Sequence, residues 1–191
     1  MKLSNVATIS AGHPFRGKIP EKQDAGIRAV QMKDVSVDEG ILWSGLIETE
    51  LAGKKQPDWL CKGDVLFAAR GSRNYAVLIS ENQPNIVAAP QFYILRVKED
   101  SLLPDFLVWQ LNQKPLQNYF ERSAEGTLTK SVRRSVLADA CITIPPLEEQ
   151  KKILNLYNTV RQERQVCAQL VENGQKLMNS IASQLITGKT V

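Results

Sequence analysis

The chain has 191 residues, 43% of them apolar and 23% charged, with a formal net charge of +4 and a pI near 9.0. That length buries one good core with an appendage and leaves two full domains cramped, and the composition is neither that of a disordered chain nor that of a membrane protein. No apolar run approaches the roughly 20 residues of a bilayer crossing and Met1 to Ser10 lacks a signal peptide's hydrophobic centre, so a cytoplasmic protein with no membrane partner is expected.

In chain order, Ile27 to Val35, Gly63 to Gly71, Tyr75 to Ser80 and Gln91 to Val97 read as strands, being short apolar runs between turn signals. Breakers separate them: Gly12, Pro14, Gly17 and Pro20 early, Gly53 and Pro57 in the middle, then Pro84 and Pro90. From Ser101 to Ala124 the apolar residues recur at three-to-four spacing, which predicts one or two amphipathic helices broken near Pro115. Residues 1–144 thus read as an α+β domain with a loop-rich, mixed sheet. Cys61, Cys141 and Cys167 lie far apart in sequence, which argues against a disulfide framework or a zinc knuckle; all three are expected to be small buried hydrophobes.

The stretch "ACITIPPLEEQKKILNLY" changes grammar at Pro145 and Pro146. Residues 145–191 read as a single long helix: a proline suits the first turn, Glu148 and Glu149 favour the positive end of the dipole, and Gly188 sits where a glycine stop belongs. Ile153, Leu156, Val160, Cys167, Leu170, Leu177 and Ile181 occupy heptad a and d positions, interrupted by Glu163, Gly174 and Gln184, while Tyr157, Val171, Met178 and Leu185 widen the stripe. At ~1.5 Å per residue such a rod is on the order of 60 Å long, more than the preceding domain can cover. A helix of a partner chain is the expected cover, with Gly174 allowing close approach. The alternatives are a rod folded back on its own domain or a hairpin bent at Gly174, since a mid-helix glycine costs about 1 kcal/mol.

Catalytic signatures are weak. His13 is the only histidine and reads as a loop residue, and neither a dinucleotide-binding nor a triphosphate-binding glycine motif occurs. Pro104-Asp105 with Glu149, Gln150 and Lys151 superficially matches the elements of a metal-dependent nuclease. Glu149 and Lys151, however, open a helix after two prolines rather than lying on an adjacent strand. "IPPLEEQ" also lacks the Asn or Asp before Pro-Pro that an amino-methylating site uses. The residues read as a binder with no metal and no catalytic group.

Two acid-free intervals carry the cations. "AARGSRNYAVLIS" supplies Arg70, Ser72, Arg73, Asn74 and Tyr75, and "GTLTKSVRRSVLA" supplies Thr127, Lys130, Arg133 and Arg134. Arginine pairs bidentately with guanine, and Asn with adenine edges, so the first interval suits base reading; hydroxyls and cations in the second suit phosphates. Arg16 and Lys18 in "GHPFRGK" form a third candidate. The plain alternative for each is a solvated surface loop.

Taken in order, "KLSNVATISAGHPFRGK", "GIRAVQMKDV", "CKGDVLFAARGS", "IVAAPQFYILRV" and "EGTLTKSVRRSVLADACITIPPLEEQKKI" resemble a target recognition domain of the specificity subunits of type I restriction-modification systems. The most specific element is "IPPLEEQ" leading into a long helix. Full-size members of that family carry two recognition domains and two antiparallel helices, so the resemblance implies a half-size subunit that pairs with itself. It implies double-stranded DNA as ligand, read as an interrupted palindrome. It also implies docking of methyltransferase subunits, which bring S-adenosylmethionine, and of the restriction/translocase subunit. This chain itself would hold no cofactor and catalyse nothing. A protein–protein adaptor is the competing reading.

Overall fold

The computed structural model describes residues 1–51, 56–71, 73–124 and 130–187. Among the described residues the order of elements is α1 (Leu3–Val6), β1 (Ala7–Ala11), β2 (Arg28–Val30), β3 (Val35–Ser36), β4 (Gly40–Ile41), β5 (Ile47–Glu48), β6 (Val65–Ala68), β7 (Arg70–Gly71), β8 (Ala76–Leu78), β9 (Ile86–Ala88), β10 (Phe92–Val97), α2 (Pro104–Leu111), α3 (Lys114–Ser123), β11 (Lys130–Ser131), α4 (Arg134–Asp139) and α5 (Leu147–Thr187). The class is α+β, as the sequence indicates. The chain divides into two compact units, Met1–Gln150 and Lys151–Val191.

In the first unit a four-stranded antiparallel sheet runs β1-β10-β6-β8, and a three-stranded mixed sheet runs β5-β2-β9 with β2 and β9 parallel. All four residues of β6 are buried, which explains its unbroken apolar run: a strand covered on both faces needs no polar alternation. Leu66 and Ala68 join Phe92, Ile94, Val77 and Ile79 in a cluster with Ala29, Val30, Ile86, Val87 and Ala88, so this face packs on the smaller sheet. The other face meets the helices, with the Phe67 and Phe120 rings edge to face at 4.9 Å. Each such fully buried Phe or Leu contributes about 1.5–3 kcal/mol.

Between Ser101 and Ala124 the chain forms two helices rather than one. The turn falls at Asn112 and Gln113; Pro115 opens the second helix, where its missing N–H leaves nothing unsatisfied. The Gly-Asp of "CKGDVLF" is an anchor: the Asp64 side chain, 5% exposed, accepts from the Cys61 N–H at 3.0 Å and from Arg96 Nε and Nη2 at 2.9 and 3.0 Å. Arg96 also donates to Asp58 at 2.6 Å and to the Trp59 carbonyl at 2.8 Å. The Asp64 hydrogen bond above all holds the Arg96 guanidinium pKa above its already high range.

One expectation is overturned: Cys61, Cys141 and Cys167 are all exposed. Cys61 lies in the turn entering β6, Cys141 pairs across an isolated bridge with Lys2, and Cys167 lies on the solvent-facing rod. None of these places lies in the core.

Helix α5 runs 41 residues without a break at Gly174, where a Cβ would meet nothing within 4 Å, so the hairpin alternative is not what forms. Gln150 in its first turn is fully buried: its Oε1 accepts from the Leu103 N–H at 2.9 Å, and its Nε2 donates to the Ser101 and Pro145 carbonyls at 2.6 and 2.7 Å. Among the described residues no helix is long and apolar enough to cross a membrane.

Candidate nucleic-acid interface

The two acid-free intervals, about sixty residues apart in sequence, meet. Strand β7 pairs antiparallel with β11, setting Arg70 opposite Ser131 and Gly71 opposite Lys130. The Val132 N–H extends the ladder to the Ala69 carbonyl at 2.9 Å. Buried Val132 and Leu137 and the Tyr119 hydroxyl, which donates to the Val136 carbonyl at 3.0 Å, pin the second interval to the core. The cations face outward: Arg70, Arg73, Arg133 and Arg134 are exposed. Arg70, Arg73 and Arg134 make no ion pair with a described residue. The result is a ribbon with one sign of charge, able to grip phosphates and to present guanidinium forks to base edges.

Asn74 and Tyr75, assigned to the reading loop, are turned inward. Asn74 is 9% exposed and its Nδ2 donates to the Ala68 carbonyl at 2.9 Å, closing the turn between β7 and β8. Tyr75 is half-buried, its hydroxyl reaching the Val35 carbonyl at 3.4 Å, and burial pushes its pKa up. Ser72 and Thr127 lie outside the described residues, and of Lys130 only the backbone is described.

Arg16 and Lys18 are exposed on the loop after β1. Its base is fixed where the Gly12 and His13 N–H groups donate to the Phe92 and Ala88 carbonyls at 3.0 and 2.8 Å. A Cβ on Gly12 would lie 2.1 Å from the Ala89 oxygen, so only glycine permits this approach. His13 is a buried loop residue, its ring edge-on to Phe15 at 4.9 Å.

The run Ile27 to Val35, expected as one strand, is extended at Arg28–Val30 and breaks into a tight turn at Met32–Asp34 before β3 starts at Val35. There the Asp34 N–H donates to the Gln31 carbonyl at 3.0 Å and the Gln31 N–H to the Asp34 carboxylate at 2.9 Å. Met32 Cε lies 3.3 Å from where a Cβ on Gly71 would sit, and Gly71 has φ +137°, so the turn seats against the ribbon where the chain needs glycine.

On the rod, Leu156, Val160, Cys167, Leu170, Leu177 and Ile181 are exposed, Leu170 at 65%, and Ile153 is partly buried. Among the described residues no three His, Cys, Asp or Glu side chains converge as a metal site.

The sequence profile of the family described as "Type I restriction modification DNA specificity domain" matches residues 1–165. The chain belongs to that family. Solved structures share the fold of this specificity domain. It is similar to the type I restriction-modification S subunit from M. genitalium, with 18% identity, a TM-score of 0.60, and coverage of 99% of this chain and 46% of that one. The HsdS subunit from Thermoanaerobacter tengcongensis matches with 20% identity and a TM-score of 0.55, covering 85% of this chain and 36% of that one. A third, from a structure concerned with complex assembly and conformational transition of the type I R-M system, gives 22% identity and a TM-score of 0.59, covering 96% and 42%. The chain thus spans less than half the length of each of these three structures.

Proposed function

We propose that this chain is a noncatalytic DNA-recognition subunit of a type I restriction-modification system, working as a homodimer on an interrupted palindrome. The observation that carries the reading is the β7–β11 ribbon, which joins two separately basic segments into one outward-facing strip of cations on a family-typical scaffold. Arg70 and Arg73 are the base readers; Lys130, Arg133 and Arg134 take phosphates, which position the protein without choosing sequence. The apolar stripe of α5, with Leu156, Leu170 and Leu177 each more than 60% exposed, buries against a second rod. A twofold pair of identical readers requires equal half-sites in inverted orientation.

Methylation of adenine and cleavage belong to partner methyltransferase and restriction/translocase subunits in this reading. S-adenosylmethionine is held by the methyltransferase and not here. Selection of bound duplexes from a random pool, with the chain alone and with its modification partner, tests the proposal. A split palindrome is expected; absence of any base preference in both conditions would overturn it and leave the adaptor reading, in which association is insensitive to DNA and salt.

A further inference from the structure

Beside the ribbon lies a cleft of about 390 Å³ lined by Lys18, Ile19, Pro20, Glu21, Gln31, Lys33 and Ile47. One wall comes from the loop that carries Arg16 and Lys18, and another from the Gln31–Asp34 turn. That turn is held at several points. Met32 seats on Gly71 of the ribbon, Asp34 is 4% exposed with its carboxylate accepting the Gln31 N–H at 2.9 Å, and Tyr75 reaches the adjoining Val35 carbonyl. Lys33, between two inward-held neighbours, is the residue left pointing out, and neither it nor Lys18 makes an ion pair with a described residue. The flanking contacts fix the Lys33 backbone before any ligand arrives, so less conformational entropy remains to be lost when the ammonium meets an anion.

We infer that this cleft seats the sugar–phosphate backbone of duplex DNA next to the stretch under the ribbon, with Lys33 and Lys18 on phosphates. Ile47, partly buried over the core cluster that holds Ile19, offers an apolar surface to the sugar. The inference rests on the DNA-recognition reading and adds Lys33, a residue outside both acid-free intervals, to the contact surface. The turn links the cleft to the ribbon through Met32 and Gly71, so the loop, the turn and the ribbon form one surface rather than three separate patches. A duplex is the occupant favoured because two lysines against one glutamate line the cleft, and because the turn that forms one of its walls packs through Met32 on Gly71 of the arginine-bearing ribbon. Lys33 carries affinity and not sequence choice, since an ammonium is a point charge that positions rather than reads. Glu21, on the same wall as Lys18, opposes the phosphates.

The test measures affinity for the selected duplex against salt concentration, with the full chain, alone or with its modification partner. Lys33→Gln should weaken binding and lower the slope of log K against log salt by about 0.9, and the Lys18→Gln/Lys33→Gln pair by about 1.8, with the base preference unchanged. Glu21→Gln should tighten binding. If Lys33→Gln leaves slope and affinity intact while Arg73→Ala weakens binding, the cleft inference is wrong and the recognition reading stands. A wild-type chain that binds no duplex in either condition removes both.

Discussion

Gln110 and Thr143 exchange a reciprocal pair of hydrogen bonds, the glutamine Nε2 donating to the Thr143 carbonyl at 2.7 Å and the Thr143 N–H donating to Oε1 at 3.0 Å. A side-chain amide here replaces a neighbouring strand. Asn112 does the same for the edge strand β8, donating to the Ala76 carbonyl and accepting from its N–H, each at 2.8 Å. Gln110→Leu leaves both Thr143 groups unsatisfied where water does not replace the amide, and should cost about 1–3 kcal/mol in urea unfolding. Gln110→Glu keeps the acceptor but turns a carboxylate oxygen toward the Thr143 carbonyl. It should be no more stable than the leucine variant near neutral pH; a wild-type midpoint for it would refute the assigned pairing.

Arg96 is the hub where β10 meets the turn before β6, and removing it leaves the nearly buried Asp64 carboxylate without its cation. A fully buried pair broken this way loses about 3–5 kcal/mol, but the Arg96 side chain is 38% exposed, so Arg96→Met should lose about 2 kcal/mol. Adding Asp64→Asn removes the stranded charge and should recover part of the loss, since an amide oxygen still accepts from the Cys61 N–H. Double-mutant unfolding measures the coupling, and strict additivity of the two losses would show that no such pair matters.

Gly71 combines φ +137° with Met32 at 3.3 Å from a would-be Cβ, so Gly71→Ala is strained in both backbone and packing. The strain is about 1–3 kcal/mol. The ribbon is peripheral to the buried core, and the variant should stay folded by circular dichroism while duplex affinity falls. Unaltered affinity would mean that the ribbon's geometry is not what DNA reads.

The parts of this fold that announce themselves in sequence are those governed by local periodicity. The buried run of β6, the three-to-four spacing of α2 and α3, and the proline-led start of α5 each follow from side chains meeting solvent or core at fixed intervals. The ribbon's two halves were each visible as acid-free intervals, but their pairing depends on residues about sixty positions apart, which no local pattern encodes. Polar side chains were the least legible. Asn74 has the chemistry of a base reader, and only the path of the chain shows that its amide closes a turn. Nothing in the sequence marks Gln110, Asn112 or Gln150 for a structural role, and each completes a backbone ladder or clamp. Lys33 stood apart from any basic cluster, and its place beside the ribbon comes from Met32 packing on a glycine.

Tyr75 supplies a pH dependence. Burial raises its pKa above the ordinary 10.0, so in the folded chain the phenol holds its proton at pH values where the unfolded chain has lost it. The unfolded state then binds fewer protons, and stability falls as pH rises from about 10 through the folded-state value. Tyr75→Phe removes that alkaline loss and, with it, only a long hydrogen bond of 3.4 Å to Val35. Below pH 9 the variant should therefore be at most about 1 kcal/mol less stable, and the gap should narrow or reverse above pH 10. Parallel stability curves for the two proteins across that range would place the phenol in water.

The exposed stripe of α5 leads to the most demanding test. Leu170 and Leu177, 65% and 61% exposed, lie on the proposed seam between two copies, so Leu170→Asp with Leu177→Asp should yield a protomer in sedimentation where the parent chain yields a dimer. Deleting seven residues, 164–170, preserves the heptad phase while shortening each rod by ~10 Å, a length of about 3 base pairs at ~3.4 Å per pair. The shortened helix rotates its ends by only about 20°, because seven residues are nearly two full turns. Three base pairs fewer rotate the half-sites by about 100° at ~10.5 pairs per turn, so the duplex must twist to meet both readers. The preferred gap should therefore shorten by about 3 base pairs with weaker binding. A deletion variant that remains dimeric and keeps the parental gap would separate the rod from the spacing of the readers.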